Sequence, residues 1–214
     1  YRVTKYESHA IELARELVEE KSCTRILVLG GDGTLSEVIN GIMRADITAE
    51  QRAKIQFGLM PRGTGNDFAK DLGKDGYGNP FEITRYLKDL PSVEVKGKRY
   101  RFLNGVGFGI DGYCCQVGDE LKKIPGKKVN YTAIAIKGLL FHFQPRNAKV
   151  TVDRKMYAYQ KVWIAPTMHG KYYGGGMIPT PEQDRSSDKL SLMLFHGAGR
   201  LRALSVFPSI FKGK

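Results

Sequence analysis

The loop Gly30-Gly31-Asp32-Gly33-Thr34 constrains this chain more than any other stretch. It joins the apolar run Ile26-Leu27-Val28-Leu29 to Leu35, Val38, Ile39, Ile42 and Met43, which recur at helical spacing. A buried parallel strand running into an amphipathic helix fits that order. Glycines let the backbone turn sharply and approach a ligand closely. The helix that follows aims free N–H groups and the positive end of its dipole at the loop, which makes a phosphate site. Thr34 adds a hydroxyl donor. Asp32 is out of place in a bare anion hole. It holds a metal ion or a catalytic proton, ties the loop down, or caps the helix; a metal–phosphate site suits it better than an anion hole. No Gly-Lys-Ser/Thr follows, so the loop is not a Walker A loop, nor is it G-x-G-x-x-G.

A second loop has the same design. The apolar run from Ile55 to Met60 ends in Pro61-Arg62-Gly63-Thr64-Gly65-Asn66-Asp67, and a short helix with Phe68, Ala69 and Leu72 follows. Two such loops at the carboxyl edge of one parallel sheet face a common crevice, the usual ligand position in open α/β folds. Thr64 and Asn66 suit polar contacts, and Asp67 suits capping or bracing. Upstream, Arg2 to Tyr6 reads as a strand. Ala10, Leu13, Ala14, Leu17 and Val18 read as a helix with Ser8 as its cap. The alternation predicts an α/β domain with a parallel, helix-covered sheet over residues 1–91.

The pattern changes near Pro91. Val93 to Val95, Tyr100 to Leu103, Val150 to Val152, Tyr157 to Ala165 and Leu190 to Phe195 read as strands, with one helix around Tyr131 to Phe141. Residues 92–214 are therefore expected to form a mostly antiparallel β domain.

Composition excludes several classes. Hydrophobic residues make up 42% of the 214, enough for a core and too many for a disordered chain. Lys and Arg exceed Asp and Glu by 34 to 22, a net +12, which points to anionic partners. The basic residues are dispersed, in short runs such as Lys96 to Arg99 and Lys122-Lys123 to Lys127-Lys128, without an aromatic RNA-binding pattern. A solvated basic surface or a membrane-facing patch accounts for them better than nucleic acid. Cys23, Cys114 and Cys115 are too few for a disulfide framework and read as free thiols in a reducing compartment. No apolar run reaches the roughly 18 residues that span a bilayer. The chain starts without Met and stops after an apolar, helix-like segment, so it reads as a fragment cut at both ends.

Together, Gly-Gly-Asp-Gly-Thr at 30–34 and Pro61-Arg62-Gly63-Thr64-Gly65-Asn66-Asp67-Phe68-Ala69 resemble the catalytic domain of diacylglycerol kinases and related lipid kinases. The resemblance extends to Arg2-Val3-Thr4-Lys5-Tyr6, to Tyr100-Arg101-Phe102-Leu103-Asn104 with Gly107-Phe108-Gly109-Ile110-Asp111, and to Tyr172-Tyr173-Gly174-Gly175-Gly176-Met177. It implies a Rossmann-like α/β nucleotide domain, then a β-sandwich lipid domain, with the active site between them. It implies ATP contacts at Thr4, Gly30, Gly31, Asp32, Gly33, Thr34, Glu37, Gly63, Thr64, Asn66 and Asp67. Asp32 joins a phosphate–Mg²⁺ network, and Asp111 lies near the cleft. ATP and Mg²⁺ are the implied cofactors. The implied partner is a lipid, most simply diacylglycerol, met peripherally by a cytoplasmic protein; a homodimer stays open.

Two departures qualify the resemblance. Relatives carry an Asp-Gly-x-Leu turn that binds a structural metal in bacterial members. Here the run is Pro181 to Leu190, without the glycine, and Asp188 takes the metal position only if the loop shifts by one. The family's general base lies in an Asp-Gly-Glu motif, whereas Asp32-Gly33, Asp75-Gly76 and Asp111-Gly112 are followed by Thr34, Tyr77 and Tyr113. The resemblance places that base beyond Lys214 and the family's first strand before Tyr1. Weak ATP binding and slow turnover are expected of these residues alone, with Asp32 or Asp111 as the base by default. Two other readings stand beside the lipid kinase: an NAD kinase-like enzyme, which shares the first loop, and a nucleotide- or lipid-binding module without catalysis.

Overall fold

The computed structural model describes residues 1–74, 78–126 and 129–214. Asp75-Gly76 and Lys127-Lys128 lie outside the described residues. The chain divides into two compact units, Tyr1–Asn104 and Gly105–Lys214.

In the first unit α1 (His9–Glu19) precedes β1 (Arg25–Gly30), α2 (Asp32–Met43), a short α3 (Ala49–Ala53), β2 (Gln56–Pro61) and a one-turn α4 (Asp67–Asp71). A two-residue β3 (Phe81–Glu82) and the hairpin β4 (Ser92–Val95) and β5 (Lys98–Arg101) complete it. β1 and β2 pair in parallel, and β3 adds to β2 antiparallel, so the sheet is mixed, in the order β1-β2-β3. Ala10, Ala14 and Val18 of α1 and Leu35, Val38, Ile39 and Ile42 of α2 share one core with Ile26 and Val28 of β1. Thr48 starts α3 through a reciprocal cap with Gln51.

Four expectations change here. Ile26 and Val28 are buried, but Leu27 and Leu29 are 50% and 61% exposed, so β1 is covered on one face only by the described residues. Arg2 to Tyr6 forms no strand. Side chains tether it to α1 instead: Arg2 pairs with Glu16, the Tyr6 hydroxyl donates to Glu12, and the Tyr6 ring stacks on His9. Ser8 precedes α1 in a left-handed conformation and makes no side-chain cap. The β4–β5 hairpin, expected in the second half, belongs to the first unit. The Asn40 side chain on α2 accepts from Arg101 N (2.9 Å) and donates to Arg101 O (3.0 Å), which fixes β5 to α2.

The second unit has antiparallel pairing but more helix than expected. β6 (Gly105–Val106), β9 (Thr167–Met168) and β10 (Ser191–Leu192) form a small sheet in the order β10-β9-β6, and β7 (Arg146–Val152) pairs with β8 (Lys155–Val162) as a separate hairpin. Helix α5 (Ile110–Lys122) has no counterpart among the expected elements; Gly112, Gly118 and the Cys114-Cys115 pair weaken its helical signal. α6 (Tyr131–Lys137) runs into a π-helical segment at Gly138–His142, and α7 (Arg200–Val206) packs near it. Trp163 is the centre of this core. It is 2% exposed, packs with Ile110, Leu139, Ala198 and Ala203, and donates its indole N–H to Ala198 O at 2.8 Å.

Candidate functional site

The parallel register sets Gly30 opposite Pro61, so both glycine loops leave the same edge of the sheet. They then touch. Arg62 N donates to Gly30 O at 2.9 Å. A Cβ on Gly31 would lie 2.7 Å from Gly63 Cα, and one on Gly63 would lie 2.5 Å from Gly31 Cα. Only glycine at both positions permits this backbone contact.

Asp32 staples the loops. Its Oδ2 accepts from Asp67 N (2.9 Å), and its Oδ1 accepts from Phe68 N (2.7 Å) and from Asn104 Nδ2 (3.1 Å). The carboxylate therefore satisfies two amides at the start of α4, which no intrahelical bond can reach. Its charge also suits the positive end of that short helix. Asn66, in the left-handed region at φ 51°, closes its own loop. Its Oδ1 accepts from Gly63 N (2.9 Å) and its Nδ2 donates to Gly63 O (2.8 Å). Asp67 is buried beside the Lys70 ammonium. Asp32, Asn66 and Asp67 thus hold the protein to itself.

What faces outward is different. The first intrahelical bond of α2 runs from Leu35 N to Gly31 O, so the amides of Asp32, Gly33 and Thr34 precede it. Gly33 is exposed, and a Cβ there would meet nothing within 4 Å. Thr64 is exposed, Thr34 is half-buried, and Glu37 lies one turn into α2. Thr4 is exposed in the irregular segment before α1. Amides ahead of the first intrahelical bond, a helix N-terminus and open space above glycine fit the phosphates of a nucleotide. Leu35, wholly buried directly after the loop, anchors this turn in the core.

The second unit holds another carboxylate. Gly109 enters α5 at φ 97°, a conformation open to glycine, and a Cβ there would strike the Trp163 carbonyl. One turn of chain then returns Asp111 over Gly107, where a side chain would collide with the carboxylate. Asp111 Oδ1 accepts from the Tyr173 hydroxyl at 3.1 Å, while Oδ2 is buried with no partner among the described residues. Burial pushes the Asp111 carboxyl up to about 6, and the Tyr173 bond offsets part of that rise. Burial likewise raises Tyr173, with Asp111 adding to it, and lifts the Cys114 thiol to about 12, so these groups stay protonated near neutrality.

The raised Asp111 value carries a stability cost with a definite sign. The folded state favours the neutral acid, so this stabilisation is complete below about pH 4 and is lost as pH rises through about 6. Asp111→Asn keeps an acceptor for Tyr173 and removes the cost. It is expected to gain about 2 kcal/mol above pH 7, an increase in Tm of about 5 °C, and to gain nothing near pH 4. Melting curves across pH 4–8 check this.

Among the described residues no group of three or more His, Cys, Asp or Glu comes together. Asp188 is exposed in the turn before β10. Asp184 is also exposed and is held low by the Ser186 hydroxyl and amide that it accepts. Asn40 takes part in these arrangements without any local sequence mark, and Asn104 and Tyr173, though inside runs that carry the resemblance, carry no mark of the partners they meet.

Comparison with known proteins bears on both units. Residues 1–94 match the diacylglycerol kinase catalytic domain, and residues 104–214 match the YegS C-terminal NAD kinase beta sandwich-like domain. "Putative lipid kinase YtlR" of Bacillus subtilis (strain 168) is 27% identical over 199 residues, covering 84% of this chain and 61% of that protein. A "Putative lipid kinase" of Staphylococcus aureus (strain Newman) is 30% identical over 189 residues, covering 87% and 58%. The chain spans about three fifths of the length of these curated relatives. The solved structure "A putative diacylglycerol kinase from Bacillus anthracis str. Sterne" superposes with a TM-score of 0.63 at 20% identity, covering 99% of this chain and 68% of that one.

Proposed function

Because the chain belongs to the family that joins a diacylglycerol kinase catalytic domain to a YegS C-terminal NAD kinase beta sandwich-like domain, we propose that it serves transfer of the ATP γ-phosphoryl group to a lipid hydroxyl, diacylglycerol first among them. The observation that carries this reading is the glycine-to-glycine contact of Gly31 and Gly63 under the Asp32 staple. The first amides of α2, with half-buried Thr34 and exposed Thr64, are read as the edge that receives the nucleotide.

The residues at the paired loops fit a nucleotide's phosphates, and Mg²⁺ is proposed to enter with ATP. When bound, MgATP supplies the transferable phosphoryl group and the cation that offsets its charge. The loops hold and orient the phosphates. Asp32 is a positioning residue that keeps them together. In the second unit, Asp111 is the carboxylate proposed to accept a proton, since a value of about 6 leaves it largely ionised yet basic at neutral pH.

A lipid substrate requires docking at a membrane. Among the described residues no helix is long and apolar enough to cross one. Tyr172 and Tyr173 are half-buried and Tyr173 is committed to Asp111, so they offer little aromatic surface to a membrane. Phe141 and Leu201, at 68% and 80% exposed, are the proposed apolar contacts. Arg200 donates to Leu139 O at 2.8 Å, which brings their two segments together, with Lys137 and Arg202 close in sequence. Exposed apolar side chains on neighbouring segments, with cations close in sequence, suit an anionic interface.

The test offers diacylglycerol in anionic vesicles and NAD side by side to the full-length protein with γ-labelled ATP. Label is expected in the lipid, and less of it as salt or neutral lipid weakens docking. Label in NAD alone would replace this reading with an NAD kinase. No transfer to either, with ATP bound, would leave a binding module.

A further inference from the structure

The turn between β9 and β10 is built around one buried amide. Gln183 is 5% exposed, and its Nε2 faces the Lys189 carbonyl at 2.9 Å, the Asp184 carbonyl at 3.1 Å and the His169 carbonyl at 3.5 Å. Its Oε1 accepts from the Ser191 hydroxyl at 2.5 Å. Those partners fix the orientation of the amide, since carbonyl oxygens only accept and need the NH₂. Carbonyl oxygens converging on one electropositive centre are the arrangement by which a loop holds a hard cation.

The resemblance implies a structural metal in this turn, and the residues present do not fit it. Asp188, the side chain in line for it, is exposed. The Asp184 carboxylate is spent on Ser186. The carbonyls that would complete a coordination shell already face Gln183. Cationic groups are also in place: the Arg185 guanidinium lies 3.3 Å from His169 Nδ1, and Lys171 acts on Asp184. A divalent ion entering here would meet positive charge and occupied oxygens.

We infer that Gln183 does the work of a cation in this turn, so that the fold of residues 180–191 is independent of divalent metal. The amide ties His169, directly after β9, to Ser191, the first residue of β10. The chain between those two points carries Tyr173, whose hydroxyl meets Asp111. Gln183 is thus a positioning residue for that segment. This inference does not depend on the kinase reading, since it concerns the nucleotide-free protein.

The experiment measures Tm without nucleotide, in chelator and in millimolar Mg²⁺ or Ca²⁺, for wild type, Gln183→Leu and Gln183→Glu. Wild type is expected to melt alike in all conditions. Gln183→Leu, losing the donors, falls by about 5 °C and stays there in every condition. Gln183→Glu falls similarly in chelator and recovers with added cation, because its carboxylate joins the carbonyls as a ligand set. A wild-type Tm that drops in chelator would overturn the inference, as would a Gln183→Glu protein indifferent to cation. If Gln183→Glu does not fold, the wild-type comparison still decides.

Discussion

Asp32→Asn is expected to lower the stability of the first unit by about 1–4 kcal/mol and to abolish phosphoryl transfer in the full-length protein. The substitution is nearly isosteric, so the loss is electrostatic. Asp32 accepts from the amides of Asp67 and Phe68 and from the Asn104 side chain. Asparagine has one acceptor oxygen where the carboxylate has two, and its NH₂ would face a backbone N–H donor at the start of α4. Leaving a buried donor unmet costs about 1–3 kcal/mol, and loss of the charge at the start of α4 adds about 0.3–1 kcal/mol. The second loop then swings free of Gly31. Urea denaturation gives the stability change, and a labelled-ATP assay gives the rate. Normal stability with no activity would move Asp32 from brace to direct metal contact. Wild-type rates would remove both roles.

Gly31→Ala or Gly63→Ala is expected to be still more disruptive locally. Each new methyl would lie 2.5–2.7 Å from the facing Cα, more than 1 Å inside van der Waals contact. No flexible side-chain tip can move aside, because both partners are backbone. The loops must part, and the Arg62 N to Gly30 O bond goes with them. Hydrogen exchange at residues 30–34 and 62–68 is expected to speed up at least tenfold, with a lower Tm. Gly33→Ala is the control. Its Cβ meets only open space, so the protein should fold as well as wild type, and alanine favours a helix by about 1 kcal/mol over glycine.

Particular residues show how far the fold was legible. The strand–glycine–helix order at 26–43 and 55–72 is local information, and each segment's apolar period reports the face it buries. Two loops of that kind on one parallel pair had to share an edge, and the Gly30–Pro61 register places them there. Residues 2–6 carry strand-like composition but find no ladder partner, and a strand exists only by pairing. The α5 helix hides behind two glycines and two cysteines whose propensities oppose it, and tertiary packing on Trp163 overrides them. The division at Asn104–Gly105, later than the expected 91, depends on Asn40 gripping Arg101 across the chain.

The candidate site was legible in the same measure. Gly30, Gly31, Asp32, Gly63, Asn66 and Asp67 do come together, because sequence spacing and register suffice to bring them there. Their division of labour was not visible. Whether an Asp binds metal or backbone depends on which amides lie within about 3 Å, and those belong to another loop. Asn104, Tyr173 and Gln183 are polar residues whose importance comes from burial beside a distant partner, and a single sequence does not encode distance.

Titration calorimetry of MgATP into the protein, wild type against Gly63→Ala, tests most directly whether the paired loops are a nucleotide phosphate site. The paired-loop account predicts saturable, Mg²⁺-dependent binding by wild type and at least a tenfold loss in Gly63→Ala. No binding by wild type, or the same affinity in both proteins, would contradict it.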